Sequence, residues 1–165
     1  MLESLDLELV PIELPEFPPR ALSFVLQAEA AAAFDELTRT NRDNELVRQI
    51  KNAWPNVFRE ARFIPAVEYI NANRARTILN QKMAELMKTV DVYVAPSYFG
   101  DNLLRTNLTG HPCVVVPNGF NEKGTPTSIS FIGDLYEDGN VLAVAKAYQE
   151  ATDWHKQYPS QFDIE

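Results

Sequence analysis

Asp91-Val-Tyr-Val-Ala-Pro96 is a short run of β-branched and aromatic residues closed by a proline, and Cys113-Val-Val-Val-Pro117 repeats its chemistry. Both read as buried strands. A third strand is expected over Thr127-Ser-Ile-Ser-Phe-Ile132, where period-two alternation sets Ile129 and Phe131 on one face. Between the second and third runs lies Asn118-Gly-Phe-Asn-Glu-Lys-Gly-Thr125, rich in turn residues, so the pair predicts a β-hairpin with a long turn.

Working outward, the segment before Asp91 has the strongest helical period in the chain. Val67, Asn71, Ala75, Ile78, Leu79, Met83, Leu86 and Val90 recur at three- and four-residue steps, with Pro65 near the first turn. A helix from about Pro65 to Val90 is expected, close to 40 Å long at ~1.5 Å per residue. On the other side, Gly139 to Gln157 predicts a last helix with Leu142, Ala145, Tyr148 and Trp154 inward, stopped by Pro159. Towards the start, Ala21 to Thr40 reads as a helix with Leu22, Val25, Leu26, Ala33 and Leu37 on its stripe. A turn at Asn41 to Asp43 and a short helix through Leu46, Val47 and Ile50, ending before Pro55, complete this region. The opening Leu5-Asp-Leu-Glu-Leu-Val10 alternates as a strand does, and Pro11, Pro15, Pro18 and Pro19 extend the connector behind it. Three longer helices and four strands in this order make an α/β or α+β assembly.

The composition bounds the partners. A formal net charge of −8, with 45% hydrophobic and 23% charged residues, describes a soluble globular domain and argues against a nucleic-acid surface. The basic stretches Arg59 to Arg62 and Arg74 to Arg76 are short and read as solvated helix faces. No apolar run approaches the ~20 residues that span a bilayer, and no signal-peptide pattern opens the chain, so no membrane partner and a cytoplasmic setting are expected. The single cysteine, Cys113, excludes an intramolecular disulfide and a multi-cysteine zinc site.

Serine hydrolysis needs a nucleophile, a base and oxyanion donors, often grouped at a glycine-rich turn. The six glycines are dispersed, with no adjacent pair and no Gly-x-Ser-x-Gly elbow, and none of Ser4, Ser23, Ser97, Ser128, Ser130 and Ser160 sits in such a turn. His155 falls in the last turn of the final helix, where a cationic side chain suits the helix dipole, and His111 precedes Pro112 at a strand entrance. The acids Glu29, Asp35 and Glu36 read as a solvated helix face. No nucleotide-binding glycine motif and no metal cluster emerges, so neither cofactor nor metal is expected. The most unusual segment is Tyr98 to Pro112, which links two strands and mixes aromatic, amide and hydroxyl groups with Gly100 and Gly110. Such loops line ligand crevices at strand ends, or serve as plain connectors.

In that segment a family resemblance begins. Asn107-Leu-Thr-Gly-His-Pro-Cys-Val-Val-Val-Pro-Asn-Gly-Phe120, Gly124-Thr-Pro-Thr-Ser-Ile-Ser-Phe-Ile-Gly133 and Ala145-Lys-Ala-Tyr-Gln-Glu-Ala-Thr-Asp-Trp-His155 resemble the C-terminal end of amidase-signature enzymes. These include amidases and the A component of glutamyl-tRNA(Gln) amidotransferase. Glu68 to Arg76 leading to Asp91–Pro96, the alanine run after Glu29, and Leu9 to Pro15 are similar to the family's preceding elements. The resemblance implies an α/β fold in which residues 1–165 form the C-terminal portion of an amidase domain, with helices packed on a mixed β-sheet that includes a hairpin. It also implies carbon–nitrogen amide hydrolysis through a Ser, cis-Ser, Lys triad on a Gly-Gly-Ser-Ser stretch.

No stretch here matches that motif. The resemblance therefore places the triad in an N-terminal part of the same enzyme, leaves the chain inactive alone, and gives the opening strand a partner in a larger sheet. The connection from Ser97 to Thr106 is shorter than in many relatives, which leaves the amide substrate open. Tyr98, Phe99, Asp101, Asn102 and Asn107 are the expected pocket-wall residues, and no catalytic residue is assigned. Expected partners are the missing N-terminal part, a small-molecule amide, amidotransferase subunits in the alternative reading, and a second copy through an uncovered apolar face. A non-enzymatic α/β interaction module is the remaining alternative.

Overall fold

The computed structural model describes residues 1–98 and 100–158. The chain divides into two compact units, one formed by Met1–Glu16 with Asn80–Glu165 and the other by Phe17–Leu79. Among the described residues there are six α-helices and three strands.

In the Phe17–Leu79 unit, a 3-10 turn at Pro19–Leu22 leads into α1, Phe24–Ala33, and α2, Asp35–Arg39. The expected single helix is thus interrupted at Phe34 and ends, as expected, at about Thr40. Helix α3, Trp54–Ala61, carries Pro55 in its first turn. This corrects the expectation that Pro55 ends a helix: the first turn has no use for an amide hydrogen, so proline starts this one. The expected helix through Leu46, Val47 and Ile50 is absent. A 3-10 turn at Arg42–Glu45 stands before it, and Val47 and Ile50 are exposed. α1 packs on α3 through Ala31, Phe58 and Ala61, whose small and aromatic side chains let the helices approach closely. Phe58 also stacks on Phe34 and Trp54 at centroid separations of 5.3 and 5.6 Å.

The long helix α4, Ala66–Met87, runs through both units, up to Leu79 in one and from Asn80 in the other. At ~1.5 Å per residue its 22 residues span about 33 Å. Of the expected stripe Leu79 and Met83 are fully buried, but Val67 and Ile78 are exposed, and Ala72 and Met87 are buried in their place.

In the other unit, β1, Val92–Pro96, β2, Cys113–Phe120, and β3, Pro126–Gly133, form one sheet in the order β1-β3-β2. The expected hairpin is β2–β3, and both pairings among the described residues are antiparallel. The opening residues form a 3-10 turn, Leu2–Leu5, followed by irregular chain, so the expected first strand is not formed: no described strand pairs with it. Leu2 instead packs beside the sheet core, and Lys82 Nζ donates to Glu16 O at 3.0 Å, tying the proline-rich connector to α4.

Register settles which residues share each sheet face. Val94, Phe131 and Val114 lie side by side, as do Tyr93, Ile132 and Cys113 on the opposite face. Helix α6, Asp138–Thr152, covers the first face with Val141, Ala145 and Tyr148 against Phe131 and Val116. Leu142, expected inward, is exposed and its neighbour Val141 is fully buried. The approach is close: a Cβ on Gly133 would stand 2.3 Å from Val141 Cγ2. After α6 the chain turns through Asp153 into a 3-10 turn, Trp154–Lys156, which holds His155. Pro159, the expected stop, lies outside the described residues.

Candidate functional site

The segment from Tyr98 to Pro112, expected as a connecting loop, contains an eight-residue helix, α5, Asn102–Thr109. Gly110 closes it at φ +81°, donating its N–H to Thr106 O at 2.8 Å, a conformation glycine adopts without strain. The polarity of α5 is inverted relative to an ordinary amphipathic helix. Asn102, Arg105, Thr106 and Thr109, at i, i+3, i+4 and i+7, are all buried, while Leu103 and Asn107 are exposed.

A buried polar face needs partners, because an unpaired donor or acceptor away from water is costly. Most of this face has them. Tyr93 donates its hydroxyl to Asn102 Oδ1 at 2.8 Å, which fastens α5 to β1 on the sheet face opposite α6. Thr106 Oγ1 donates to Leu103 O at 3.0 Å and Thr109 Oγ1 to Arg105 O at 2.9 Å. Since that hydroxyl proton is spent, Thr109 Oγ1 accepts from His111 Nδ1 at 2.8 Å, which selects the Nδ1-protonated tautomer. Nearby, Ser130 of β3 donates to Oγ of Ser97, the residue that follows β1, at 3.0 Å, and both residues are buried.

Two members keep unmet capacity. His111 Nε2 has no hydrogen-bond partner and stands 3.8 Å from Asp134 Oδ1. Arg105, 7% exposed, has Nε and Nη1 without an acceptor.

The titration of the cluster follows from its burial. Burial raises the Tyr93 phenol well above its ordinary value, with the Arg105 charge opposing and Cys113 adding to the rise. Burial likewise raises the Cys113 thiol, with Ser130 opposing, although part of the residue is open to solvent. Burial lowers His111, with Asp134 opposing. Near neutral pH the phenol, the thiol and the imidazole are therefore all held uncharged beside one buried guanidinium.

Of the expected pocket-wall residues, Asn102 lies within this cluster and Asp101 is half-buried at the start of α5. Tyr98 is 88% exposed and Asn107 projects from the outer side of the helix. Phe99 lies outside the described residues. Tyr93, Ser97, Arg105, Thr106, Thr109 and Ser130 were not singled out as site residues. The available signal was the spacing of polar residues at 102, 105, 106 and 109, a helical period written in polar letters.

The Phe17–Leu79 unit has two grooves. One, of about 620 Å³, is lined by alanines with Glu29, Asp35, Arg62 and Tyr69. Its charges are already matched: Arg39 and then Arg62 bond Asp35 and hold its carboxyl below the ordinary range, and Tyr69 donates to Glu29 at 3.1 Å. The other, about 540 Å³, is mainly apolar, around Leu26, Phe34, Trp54 and Phe58. Neither offers an unmet polar group comparable to Arg105. Among the described residues no group of three His, Cys, Asp or Glu side chains is placed to hold a metal ion, and no helix is long and apolar enough to cross a membrane.

Known proteins resemble the chain in sequence and in the arrangement of these elements. Over 110 residues, 55% of the chain, it is 29% identical to the A component of the Rippkaea orientalis glutamyl-tRNA(Gln) amidotransferase. Over 111 residues, 56% of the chain, it is 32% identical to the same component of the Alcanivorax borkumensis enzyme. These matches span only 23% and 22% of those proteins, so the chain corresponds to about a quarter of the curated relatives' length. An amidase of known structure superposes on 91% of the chain and 39% of its own length, with a TM-score of 0.75 and 18% identity. A bacterial aryl acylamidase of the amidase-signature family superposes on 89% and 36%, with a TM-score of 0.68 and 19% identity. No family model matches the chain. Sequence and fold point the same way: the chain resembles amidotransferase A components over part of their length and has part of the fold of amidase-signature enzymes.

Proposed function

We propose that this chain is the C-terminal portion of an amide-hydrolysing amidase-signature enzyme, supplying sheet, helices and part of a pocket wall to chemistry performed by residues outside this sequence. The carrying observation is the extent of the match: nearly all of the chain is used, at 91%, but only 39% of the matched amidase. In this reading a Ser, cis-Ser, Lys triad stands in the N-terminal part, and the acyl-enzyme chemistry requires neither metal nor cofactor. Ser130 of the sheet and Ser97 just beyond β1 fit a supporting role, since both are buried and bonded to each other. Asn102 is the expected wall residue best held in place, by Tyr93.

The test is activity-based labelling. The isolated chain, treated with a serine-directed fluorophosphonate probe and assayed on simple carboxamides, is expected to take up no label and release no ammonia. Stoichiometric labelling of a single serine would defeat the reading.

A second reading has its own support in the curated relatives, which carry the name of an amidotransferase component. There the parent protein would act within an assembly and use glutamine as ammonia donor. Glutaminase activity of the parent and its co-purification with partner proteins separate this reading from a free-standing amidase.

A further inference from the structure

Arg105 stands apart in the polar face of α5. Asn102, Thr106 and Thr109 each have a hydrogen-bond partner, while two nitrogens of Arg105 have none. A guanidinium does not escape burial by losing its proton, so its charge must be met by an acceptor. Among the described residues no anion meets it at those nitrogens. Tyr93 and Cys113, the acids nearest in character, are kept protonated by burial, and Nε and Nη1 bond no described carboxylate. His111 Nε2, the acceptor of its tautomer, does not fill that place either, since it has no hydrogen-bond partner.

We propose that Arg105 is the recognition group of a carboxylate-binding site on the inward face of α5. One guanidinium carries one positive charge, which matches a monoanion, and planar carboxylates fit its fork of donors. The hydroxyl of Tyr93, fixed on Asn102, adds no charge beside the guanidinium. The carboxylate belongs either to a small molecule or to an Asp or Glu side chain of a polypeptide. The inference rests on the burial and unmet donors of Arg105 and does not depend on amide chemistry, so its failure leaves the amidase reading intact.

The experiment follows the Arg105 Nε–H resonance in the 15N-labelled, full 165-residue chain at neutral pH and constant ionic strength. Sodium acetate is the small-molecule probe, acetamide its neutral isostere, sodium chloride the salt control, and N-acetyl-Ala-Glu-Ala-amide the polypeptide probe. A saturable shift with acetate but not with acetamide or chloride is expected. Saturation by acetate alone assigns the site to small carboxylates, and saturation by the peptide as well assigns it to carboxylates borne on a chain. Arg105→Gln should weaken acetate binding at least tenfold, read from neighbouring amide resonances, and Arg105→Lys should restore part of it. If Arg105→Gln fails to fold, the wild-type titration decides alone. Equal response to acetate and acetamide, or no saturable response to either carboxylate, overturns the proposal.

Discussion

Replacing Gly133 by alanine would test the packing of α6 on the sheet directly. The added methyl carbon would stand 2.3 Å from Val141 Cγ2, where non-bonded carbons normally keep about 3.5 to 4.0 Å. Relief is hard to find. Val141 is fully buried on a helix, where a β-branched side chain has essentially one χ1 rotamer, and Glu137 O and Pro112 Cγ stand at 3.6 and 3.8 Å on the other sides. The helix must therefore shift by roughly 1 Å or more, and overpacking of this kind costs roughly 1 to 3 kcal/mol. Reduced backbone freedom of the unfolded chain returns at most about 1 kcal/mol. The expected net loss is up to about 3 kcal/mol, or a fall in Tm of about 2 to 4 °C per kcal/mol for a chain of this size. Urea unfolding followed by far-UV circular dichroism measures it. Gly139→Ala is the matched comparison: nothing lies within 4 Å of its added carbon, so a gain of about 0.4 to 1 kcal/mol is expected. The double variant Gly133→Ala with Val141→Ala should be about 1 kcal/mol or more above the stability that the sum of its parts predicts, because the second change removes the atom in collision. A Gly133→Ala protein more stable than the parent, or strict additivity in the double variant, would refute this account of the packing.

Asn102→Leu should destabilise by about 1 to 3 kcal/mol, because it strands the buried Tyr93 hydroxyl; urea titration measures this, and Asn102→Leu combined with Tyr93→Phe should recover part of the loss. His111 has a lowered folded pKa, so folding favours the neutral imidazole. Its contribution to stability is fully present above the unfolded value of about 6.5 and is lost as pH falls below it. Urea midpoints measured between about pH 8 and pH 5 should therefore decline on the acid side, and His111→Gln should flatten that decline. Cys113, although part-exposed, has a raised thiol pKa and should react with iodoacetamide more slowly at about pH 8 than a free thiol, a difference mass spectrometry resolves.

The elements legible in the sequence share a property: their burial demand is written in apolar letters. The three strands are short β-branched runs, and β2–β3 pairs as its turn residues predict. The long helix and α6 were recognisable, but their inward faces were less so. Apolar residues occur all around α4, so its period alone did not separate buried Ala72 and Met87 from exposed Val67 and Ile78. In α6 adjacent Val141 and Leu142 offered the same ambiguity. Pro55 reads as a stop from composition alone, whereas its tolerance in a helix depends on its position within the first turn. The alternation at Leu5–Val10 was real as a pattern, but a strand requires a partner, and none among the described strands takes it. The site was least legible. Of the expected wall residues Asn102 is gathered into the polar cluster, whereas Tyr98 and Asn107 face outward, since a helical period carried by polar residues does not mark a buried face the way apolar residues do.

The two sides of the sheet are built on opposite principles, and that contrast bears on function. On one side Phe131 and Val141 are fully buried against one another's elements, a packing that hydrophobic burial alone accounts for. On the other, α5 turns an amide, two hydroxyls and a guanidinium inward where apolar residues of similar volume would serve stability at least as well. Replacing hydrogen-bonded pairs such as Tyr93–Asn102 by apolar groups is nearly neutral when both partners change together, so stability is not a sufficient reason for this face. Its hydrogen bonds instead fix directions, holding α5 in one rotation about its axis with Arg105 buried and its donors at Nε and Nη1 unspent. A sheet face covered by a largely polar helix, which keeps there a guanidinium with two nitrogens that meet no described acceptor, has the form expected of a ligand-facing wall.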